Sequence, residues 1–275
     1  MERITVSYHR AMSKIFTKRI MALATAYFLL ACSFLCAASE WKEYKCQHLI
    51  IYYKQAPEDF VKSVEQMAEY YYDEISKNMG YTRYKGWTWD ERAKIYIYDN
   101  ADDYVASSQQ ANWSHGVASP QDKVIRTFPS AHGFFDSTLP HELGHIVFRE
   151  IIGFKAQVPL WFEEGVATQQ ETAKRWGAHD TVRKFIEEGK FIPLDELSFV
   201  RLNSKTDPER VNLFYAESAS AVNYLISEFG LYRFVNLCRK LEEGGPFEWA
   251  LEAIYVRFKN LKEFNKSWVD YLKKK

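Results

Sequence analysis

Apolar and polar positions alternate along several segments in the first half of the chain, whereas the second half has a helical period. Residues 47–54 and 94–99 have strand character, and the second segment alternates with a two-residue period. Two further short strands are predicted at 112–118 and 123–128, because the turn-forming sequence Ser-Pro-Gln-Asp separates them. The first half is therefore predicted to contain a small sheet.

Helices are predicted where apolar residues recur every three or four positions. The first, at 57–79, ends at Gly80, and its apolar stripe consists of Val64, Met67, Ala68, Tyr71 and Ile75. A second, shorter helix is predicted at 101–109. From position 138 onward nearly every segment is predicted to be helical. These helices lie at 138–152, 160–175, 180–188, 209–228, 231–243 and 247–273, the last broken near Lys259.

This order of elements predicts an α+β protein. A small mixed sheet with helices comes first, a helix at 138–152 follows, and the C-terminal part is mainly helical. The chain has 275 residues, of which 16% are aromatic, and no Pro-, Gly- or Ser-rich linker divides it. Residues 40–275 are therefore predicted to form one domain around one core.

The first 39 residues have the composition of an export signal. Five basic residues precede an apolar run at 20–38 that ends in small residues. Cleavage after Ala38 is one outcome; lipid attachment at Cys32 is another, because Leu-Leu-Ala-Cys resembles a bacterial lipobox. A retained signal anchor is the third. We expect an exported protein in the periplasm, cell envelope or medium, with membrane contact only through such a lipid or anchor.

Composition limits the partners and the metal ligands that this chain can use. Residues 1–39 hold five basic residues and one acidic residue of an otherwise neutral chain, so the remainder has a net charge of about −4. No basic patch interleaved with aromatic residues is present, which argues against a nucleic-acid partner. Cys46 and Cys238 either pair in an oxidising compartment or remain buried thiols. Without a cysteine framework, a metal site must use His and Glu.

The residues suited to catalysis lie in one segment, where His141 and His145 flank Glu142. Residues four positions apart lie on one face of a helix, so both imidazoles can bind a single metal ion. Glu142 would then point toward a metal-activated water. Glu164, nineteen residues after His145, is a separate carboxylate that can supply the third ligand and leave the fourth position open. This pattern predicts one catalytic Zn²⁺ per chain.

The surroundings of this motif favour a buried helix. Asp136 and Ser137 are predicted N-cap residues. Pro140 is tolerated in the first helical turn, and Gly153 is expected to end the helix. The alternative is that both histidines are hydrogen-bonded core residues and both glutamates are surface acids. Metal binding explains more, because it satisfies polar groups that burial would otherwise leave unpaired.

The segment resembles the gluzincin metallopeptidases, the clan of thermolysin-like and aminopeptidase-N-like enzymes. The shared features are His-Glu-x-x-His and, after eighteen residues, Glu-Gly-Val-Ala at 164–167. The stretch 159–165, Pro-Leu-Trp-Phe-Glu-Glu-Gly, is more similar to small bacterial peptidase-MA-like domains, in which a Trp precedes the liganding Glu-Gly. The specific part of the resemblance covers about residues 112–171.

The resemblance implies roles at the metal. His141, His145 and Glu164 would bind zinc. Glu142 would be the general base that takes a proton from the zinc-activated water and passes it to the leaving amine. Glu163 is the rival for the third-ligand role, one residue out of register. Glu164 is favoured by the spacing and by the glycine that follows it.

Two further residues receive roles from the resemblance. Tyr215 is the candidate hydrogen-bond donor to the oxyanion of the tetrahedral intermediate, with Tyr224 and His179 as weaker alternatives. Tyr215 is equally consistent with an ordinary core aromatic. Glu171 is either the partner of a liganding histidine or a solvated helix acid.

In gluzincins the substrate lies along the edge strand of the N-terminal sheet, and residues 112–118 are the best match here. Gly116 would allow a substrate backbone to approach closely. An ordinary hairpin with a buried Trp113 is equally compatible with these residues. The Gly-x-Met-Glu-Asn signature, which binds the free amine of the substrate in aminopeptidases, is absent. Aminopeptidase specificity is therefore not implied.

These features lead to the hypothesis of an exported zinc metallopeptidase that hydrolyses a peptide or protein substrate through a zinc-activated water. The alternative is a catalytically inactive pseudo-peptidase that acts as a binding or scaffold module in the cell envelope. A zinc hydrolase of a non-protein amide or ester is a third hypothesis, because the same activated water serves either reaction.

Overall fold

In the computed structural model, which describes residues 40–80, 87–110, 114–129, 133–171 and 177–274, five strands form one mixed sheet. The strands are β1 (Lys42–Lys45), β2 (Leu49–Tyr53), β3 (Ala93–Ile97), β4 (Gly116–Ser119) and β5 (Val124–Thr127). Their order across the sheet is β1-β2-β3-β5-β4. The three central strands are parallel, and each edge strand is antiparallel to its neighbour. The predicted small mixed sheet is confirmed.

The centre of the sheet is apolar. Ile51, Ile95 and Ile125 pair in register across the three parallel strands, and each has no exposed surface. Parallel neighbours need a crossover connection, and the long helix between β2 and β3 supplies it. This arrangement fixes β4, the last strand in the sheet order, at an open edge.

The helices account for most of the remaining chain, so the predicted α+β class with a mainly helical C-terminal part is confirmed. They are α1 (Glu58–Asn78), α2 (Ala101–Ser108), α3 (Leu139–Ile152), α4 (Leu160–Thr168), α5 (Ala178–Glu187), α6 (Leu194–Leu197), α7 (Pro208–Phe229), α8 (Leu231–Glu242), α9 (Phe247–Ile254) and α10 (Leu261–Leu272). Residues 41–275 form one compact unit.

The start of α3 differs from the prediction. Asp136 and Ser137 are not N-cap residues, because they lie in a π-helical turn, Phe134–Thr138, that leads directly into the helix. Thr138 occupies the cap position and makes no capping hydrogen bond through its side chain. Pro140 does lie in the first turn, and Gly153 ends the helix with a φ of 72°.

Helix α4 is shorter than the predicted helix at 160–175, because it ends at Thr168. The backbone then tightens: the N–H groups of Gln170 and Glu171 donate to carbonyls only three residues back. This tight turn ends the regular helix and leaves Glu171 beside α3 rather than on a helix surface.

Helix α4 packs closely on both neighbouring helices. A β-carbon at Gly165 would lie 2.3 Å from the carbonyl oxygen of Ser218 in α7, and one at Gly144 of α3 would lie 3.2 Å from the α-carbon of Ala167. Only glycine allows these backbones to approach so closely. Gly165 therefore allows α4 to pack against α7 at this short distance, and this packing sets the position of the Glu164 carboxylate.

Other predictions from the sequence have mixed outcomes. Cys46 and Cys238 are both buried and free, which confirms the thiol alternative rather than the disulfide. The predicted export signal, including Cys32, and the predicted buried Trp113 lie outside the described residues. Among the described residues, none of the helices has both the length and the apolar character needed to cross a membrane.

Candidate metal centre

Helices α3 and α4 bring three potential ligand atoms together. His141 Nε2 lies 3.1 Å from His145 Nε2 and 3.2 Å from Glu164 Oε2. His145 Nε2 lies 3.6 Å from the same Glu164 oxygen. The four-residue spacing of the two histidines on α3 and the close packing of α4 against α3 and α7 together produce this triangle. Glu164, rather than Glu163, faces both histidine Nε2 atoms.

The triangle has the size that a four-coordinate zinc ion requires. Zinc binds His nitrogen and carboxylate oxygen at about 2.0–2.1 Å, so tetrahedral ligand atoms stand about 3.3–3.4 Å apart. The three observed separations, 3.1, 3.2 and 3.6 Å, lie on both sides of that value. The donor set of two imidazoles and one carboxylate, with no fourth ligand in the group among the described residues, is typical of a catalytic zinc site.

One oxygen in this group lacks a partner. Glu164 Oε2 is buried and has no hydrogen-bond partner in the described part of the chain, although His141 Nε2 is 3.2 Å away. A buried carboxylate oxygen without a partner is costly. A cation held between the three atoms would remove that cost.

Glu171 lies behind His141. Its Oε1 is 2.9 Å from His141 Nδ1, and its Oε2 accepts a hydrogen bond from the Ser137 hydroxyl. Glu171 is only 1% exposed, so its interpretation as a solvated helix acid is wrong. A carboxylate on Nδ1 fixes the tautomer and ring orientation that leave Nε2 free for a metal.

Glu163 is held away from the Nε2 atoms of the histidines. Arg149 Nε donates to Glu163 Oε1 at 2.8 Å, and Arg149 Nη2 donates to Glu163 Oε2. The same guanidinium donates through Nη1 to the carbonyl of Ala156. Glu163, the rival for the third-ligand role, thus forms a two-pronged ion pair with Arg149 where α3 contacts α4.

Glu142 points from α3 toward the edge strand β4. It is 7% exposed, and its carboxylate accepts a hydrogen bond from the backbone N–H of Ala118. A β-carbon at Gly116 would lie 3.0 Å from Glu142 Oε1. Gly116 thus makes room for the Glu142 side chain, a reason different from the predicted approach of a substrate backbone.

The electrostatics of the group favour a cation at its centre. Burial would lower the pKa of His141, but the nearby carboxylates of Glu164 and Glu171 raise it to about 10. Burial would raise the pKa of Glu164, but His145 and His141 hold it well below its usual range. Burial raises the pKa of Glu142. The ligand triangle therefore stabilises positive charge, which protons or a metal ion can supply.

Of the three candidate oxyanion donors, only Tyr215 lies beside the candidate metal ligands. Its ring centre is 6.3 Å from that of His141. Burial and the carboxylates of Glu164, Glu142 and Glu171 raise the pKa of Tyr215, so its hydroxyl stays protonated and can donate. The Tyr224 hydroxyl contacts Ser267, and His179 contacts Ser220. Neither of these alternatives lines the cleft described next.

Two chambers of one cleft meet beside the candidate metal ligands. The α7 chamber, of about 380 Å³, extends past Thr138 to Pro208, Val211 and Asn212. The β4 chamber, of about 300 Å³, extends along Val117, Ala118 and Pro120 to Leu160. Both chambers share five lining residues, which are Ser114, Gly116, His141, Glu142 and Tyr215. The candidate ligands thus lie at the middle of a longer groove.

Sequence reasoning missed three residues that shape this centre. Ser137 binds Glu171, Arg149 binds Glu163, and Ala118 donates its N–H to Glu142. Ser137 and Ala118 are distant in sequence from their partners, Glu171 and Glu142, so these contacts form only in the folded chain. Arg149 could have been predicted to lie near the site, because it follows His145 by one helical turn on the same helix face.

The chain was compared with curated proteins and with protein-family models. A search of curated proteins found no match to the chain. A family model described as the Peptidase MA superfamily matches residues 81–274, which is 194 of the 275 residues and includes α3, α4 and α7. The chain therefore belongs to the Peptidase MA superfamily.

Proposed function

We propose that this chain is an exported zinc metallopeptidase that hydrolyses peptide bonds within polypeptides. Membership of the Peptidase MA superfamily supports a peptidase or peptidase-like function. The observation that carries the finer proposal is the triangle of His141, His145 and Glu164, whose ligand atoms lie within 4.8 Å of one another beside the buried Glu142.

The three ligands would hold one Zn²⁺ and leave a position open toward the cleft. When bound, the ion would supply Lewis-acid polarisation of the scissile carbonyl and lower the pKa of a water molecule. Glu171 would keep the His141 ring oriented through its contact with Nδ1. The remaining tasks fall to side chains and backbone groups of the protein.

Glu142 is the proposed general base. Burial raises the pKa of its carboxyl toward the range in which a carboxylate accepts a proton and gives it back. The Ala118 N–H holds the carboxylate in one orientation. Glu142 would take the proton of the attacking water and transfer it to the leaving amine.

The open edge of β4 is the proposed substrate platform. Successive peptide groups of a strand point to opposite sides, and the Ala118 N–H donates to Glu142. The peptide groups of Gly116 and Ala118 therefore lie along the cleft side. A polypeptide can add to such an edge as a further strand, held by main-chain hydrogen bonds.

The two chambers favour cleavage of an internal bond. They extend in different directions from the shared residues, one toward Asn212 of α7 and the other toward Leu160 of α4. A substrate that fills both has residues on each side of the scissile bond. Tyr215 borders both chambers, and its protonated hydroxyl would donate to the oxyanion that develops between them.

Export is proposed from the first 39 residues alone. Their basic start, apolar run and small residues near Ala38 are typical of a secretory signal, and Cys32 offers lipid attachment instead. Either route would place the peptidase domain outside the cytoplasm. Detection of the chain in the cytoplasmic fraction alone would contradict this part of the proposal.

The decisive experiment compares the wild-type protein with Glu142→Gln and Glu164→Ala. We expect about one zinc per wild-type chain, measured by elemental analysis after purification without chelators. Glu142→Gln should keep the zinc but lose cleavage of a mixed peptide library, because an amide cannot accept the proton of water. Glu164→Ala should lose most of the zinc.

Two outcomes would contradict the proposal. Cleavage retained by Glu142→Gln would exclude the assigned base. Zinc-loaded wild-type protein that cuts no member of the library would favour the pseudo-peptidase alternative, in which the same cleft binds a partner without hydrolysis. In the library, products cut at internal positions support an endopeptidase, whereas release of single terminal residues contradicts it.

A further inference from the structure

Helix α4 carries two consecutive glutamates, and both carboxylates lie near the same histidine. Glu164 Oε2 is 3.6 Å from His145 Nε2, and Glu163 Oε1 is 3.9 Å from His145 Nδ1. Their side chains are similarly shielded, with 15% and 14% of the surface exposed. Burial alone therefore does not distinguish the two carboxylates.

The difference between the two glutamates is their partner. Both oxygens of Glu163 accept hydrogen bonds from the Arg149 guanidinium. Among the described residues, Glu164 is paired with no cationic side chain other than the two histidines, and no hydrogen-bond partner for its Oε2 is found there. A two-pronged, charge-assisted pair of this kind is strong and fixes the carboxylate plane.

Arg149 is itself held in place. It lies one turn after His145 on α3, so it projects from the same helix face. Its Nη1 also donates to the Ala156 carbonyl, in the segment that connects α3 to α4. The Arg149 side chain is only 18% exposed, which limits screening of the ion pair by solvent. Glu163 thus has little freedom to rotate toward the ligand triangle.

Loss of Arg149 would leave a poorly solvated anion within a few ångströms of a divalent cation. An unpaired carboxylate in such a place is unfavourable, and coordination to the metal is its nearest source of positive charge. Glu163 would then add to the three ligands and the water as a fifth ligand. Its coordination would crowd the position that a hydrolytic site must keep open for its substrate.

We propose that Arg149 is a positioning residue that keeps Glu163 out of the coordination sphere and so preserves the open position. This inference rests on the proposed zinc site. It assigns to the Arg149–Glu163 pair a role beyond joining α3 to α4, and that role can be separated experimentally from a purely structural one.

The test uses the full chain loaded with Co²⁺, whose visible absorption is much stronger in four-coordinate than in five- or six-coordinate sites. We expect a strong four-coordinate spectrum from the wild type and from Glu163→Gln. Arg149→Met should lower the molar absorptivity roughly twofold or more as Glu163 coordinates. The double variant Arg149→Met/Glu163→Gln should recover the wild-type spectrum, because its amide is a poor ligand.

A structural role predicts different results. If the ion pair only joins two helices, both single variants should lower thermal stability while the cobalt spectrum stays unchanged. Arg183→Met, which breaks a surface pair with Asp180, is the matched control and should alter neither property. Failure of the double variant to recover the spectrum would also overturn the proposal.

Arg149→Lys provides a second route if Arg149→Met does not fold. Lysine offers a point charge and cannot hold both Glu163 oxygens, so its spectrum should fall between those of the wild type and a five-coordinate site. Unchanged absorptivity in the folded Arg149 variants would exclude the proposal. A wild-type chain that binds no cobalt would overturn the proposed zinc site, and this inference with it.

Discussion

Gly116 of β4 lies against Glu142 of α3 so closely that a β-carbon at position 116 would stand 3.0 Å from Glu142 Oε1 and 3.1 Å from its γ-carbon. The same β-carbon would stand 2.8 Å from the Thr138 methyl group. Gly116 is not among the residues with positive φ, so the backbone itself would accept another residue. The requirement for glycine comes from the space that the proposed base occupies.

Replacing Gly116 with alanine is therefore expected to displace the Glu142 carboxylate without unfolding the chain. A misplacement of about 1 Å can cost about a hundredfold in rate, so we expect kcat to fall by about tenfold to a hundredfold. Zinc content should stay at the wild-type value, because the three atoms nearest to the added methyl group belong to Thr138 and Glu142, which are not proposed ligands. Steady-state kinetics and elemental analysis together check this prediction.

Gly177→Ala is the matched control for this variant. Gly177 precedes α5, has ordinary helical dihedral angles, and would find no atom within 4 Å of an added β-carbon. Its substitution should leave both kcat and zinc content unchanged. Equal kcat values for Gly116→Ala and the wild type would mean that the close contact has no part in placing the base.

Glu171→Gln is expected to weaken zinc binding. The amide would lose the charge that orients His141 through Nδ1, and it would also weaken the contact with Ser137. Loss of such a partner typically costs about 10–100-fold in metal affinity. Competition with a chromophoric chelator measures the change, and Glu187→Gln on the exposed face of α5 is the control. Unchanged affinity would show that the Glu171 carboxylate has no role in metal binding.

The pattern of His141, Glu142, His145 and Glu164 could be found in the sequence because helical periodicity fixes the first three and spacing favours the fourth. The main sheet and the long helices were also predictable, since their apolar positions repeat regularly. Strand β1 was missed, because Lys-Glu-Tyr-Lys is a short edge strand that is mostly exposed and shows no clear alternation.

The supporting contacts were not predictable for a different reason. Ser137 and Glu171 are 34 positions apart, and they meet only because a π-helical turn precedes α3 and a tight turn follows α4. The sequence Asp136-Ser137 favours a helix cap by local propensity alone. In the folded chain a tertiary contact prevails over that propensity, because the Ser137 hydroxyl donates to the Glu171 carboxylate instead of capping a helix.

Tyr215→Phe is expected to lower kcat while leaving zinc binding intact. Tyr215 lines both chambers, and removal of one donor to a developing oxyanion typically costs about 10²–10³ in kcat. Tyr224→Phe is the control, because its hydroxyl contacts Ser267 outside the cleft. It should leave kcat unchanged. If the two variants have the same kcat, Tyr215 is an ordinary core aromatic.

Glu217 of α7 is expected to make stability depend on pH. It has no exposed surface, its Oε1 accepts a hydrogen bond from the Ile192 N–H at 2.9 Å, and its Oε2 has no hydrogen-bond partner within the described residues. Burial raises the pKa of Glu217 from 4.5 to about 8. The folded state therefore keeps the carboxyl neutral over a range in which the unfolded state ionises it.

The direction in which stability changes with pH follows from the difference between the pKa of Glu217 in the folded and in the unfolded state. The contribution of Glu217 is complete below about pH 4.5 and is lost as pH rises to about 8, at a slope of up to about 1.4 kcal/mol per pH unit. Glu217→Gln cannot ionise, so the free energy of unfolding of the wild type, relative to this variant, should fall across that range. Urea unfolding at intervals between pH 5 and pH 8 measures the difference, and Glu228→Gln, exposed on the same helix, should run parallel to the wild type. A constant difference between wild type and Glu217→Gln would show that Glu217 ionises in the folded state as readily as in water.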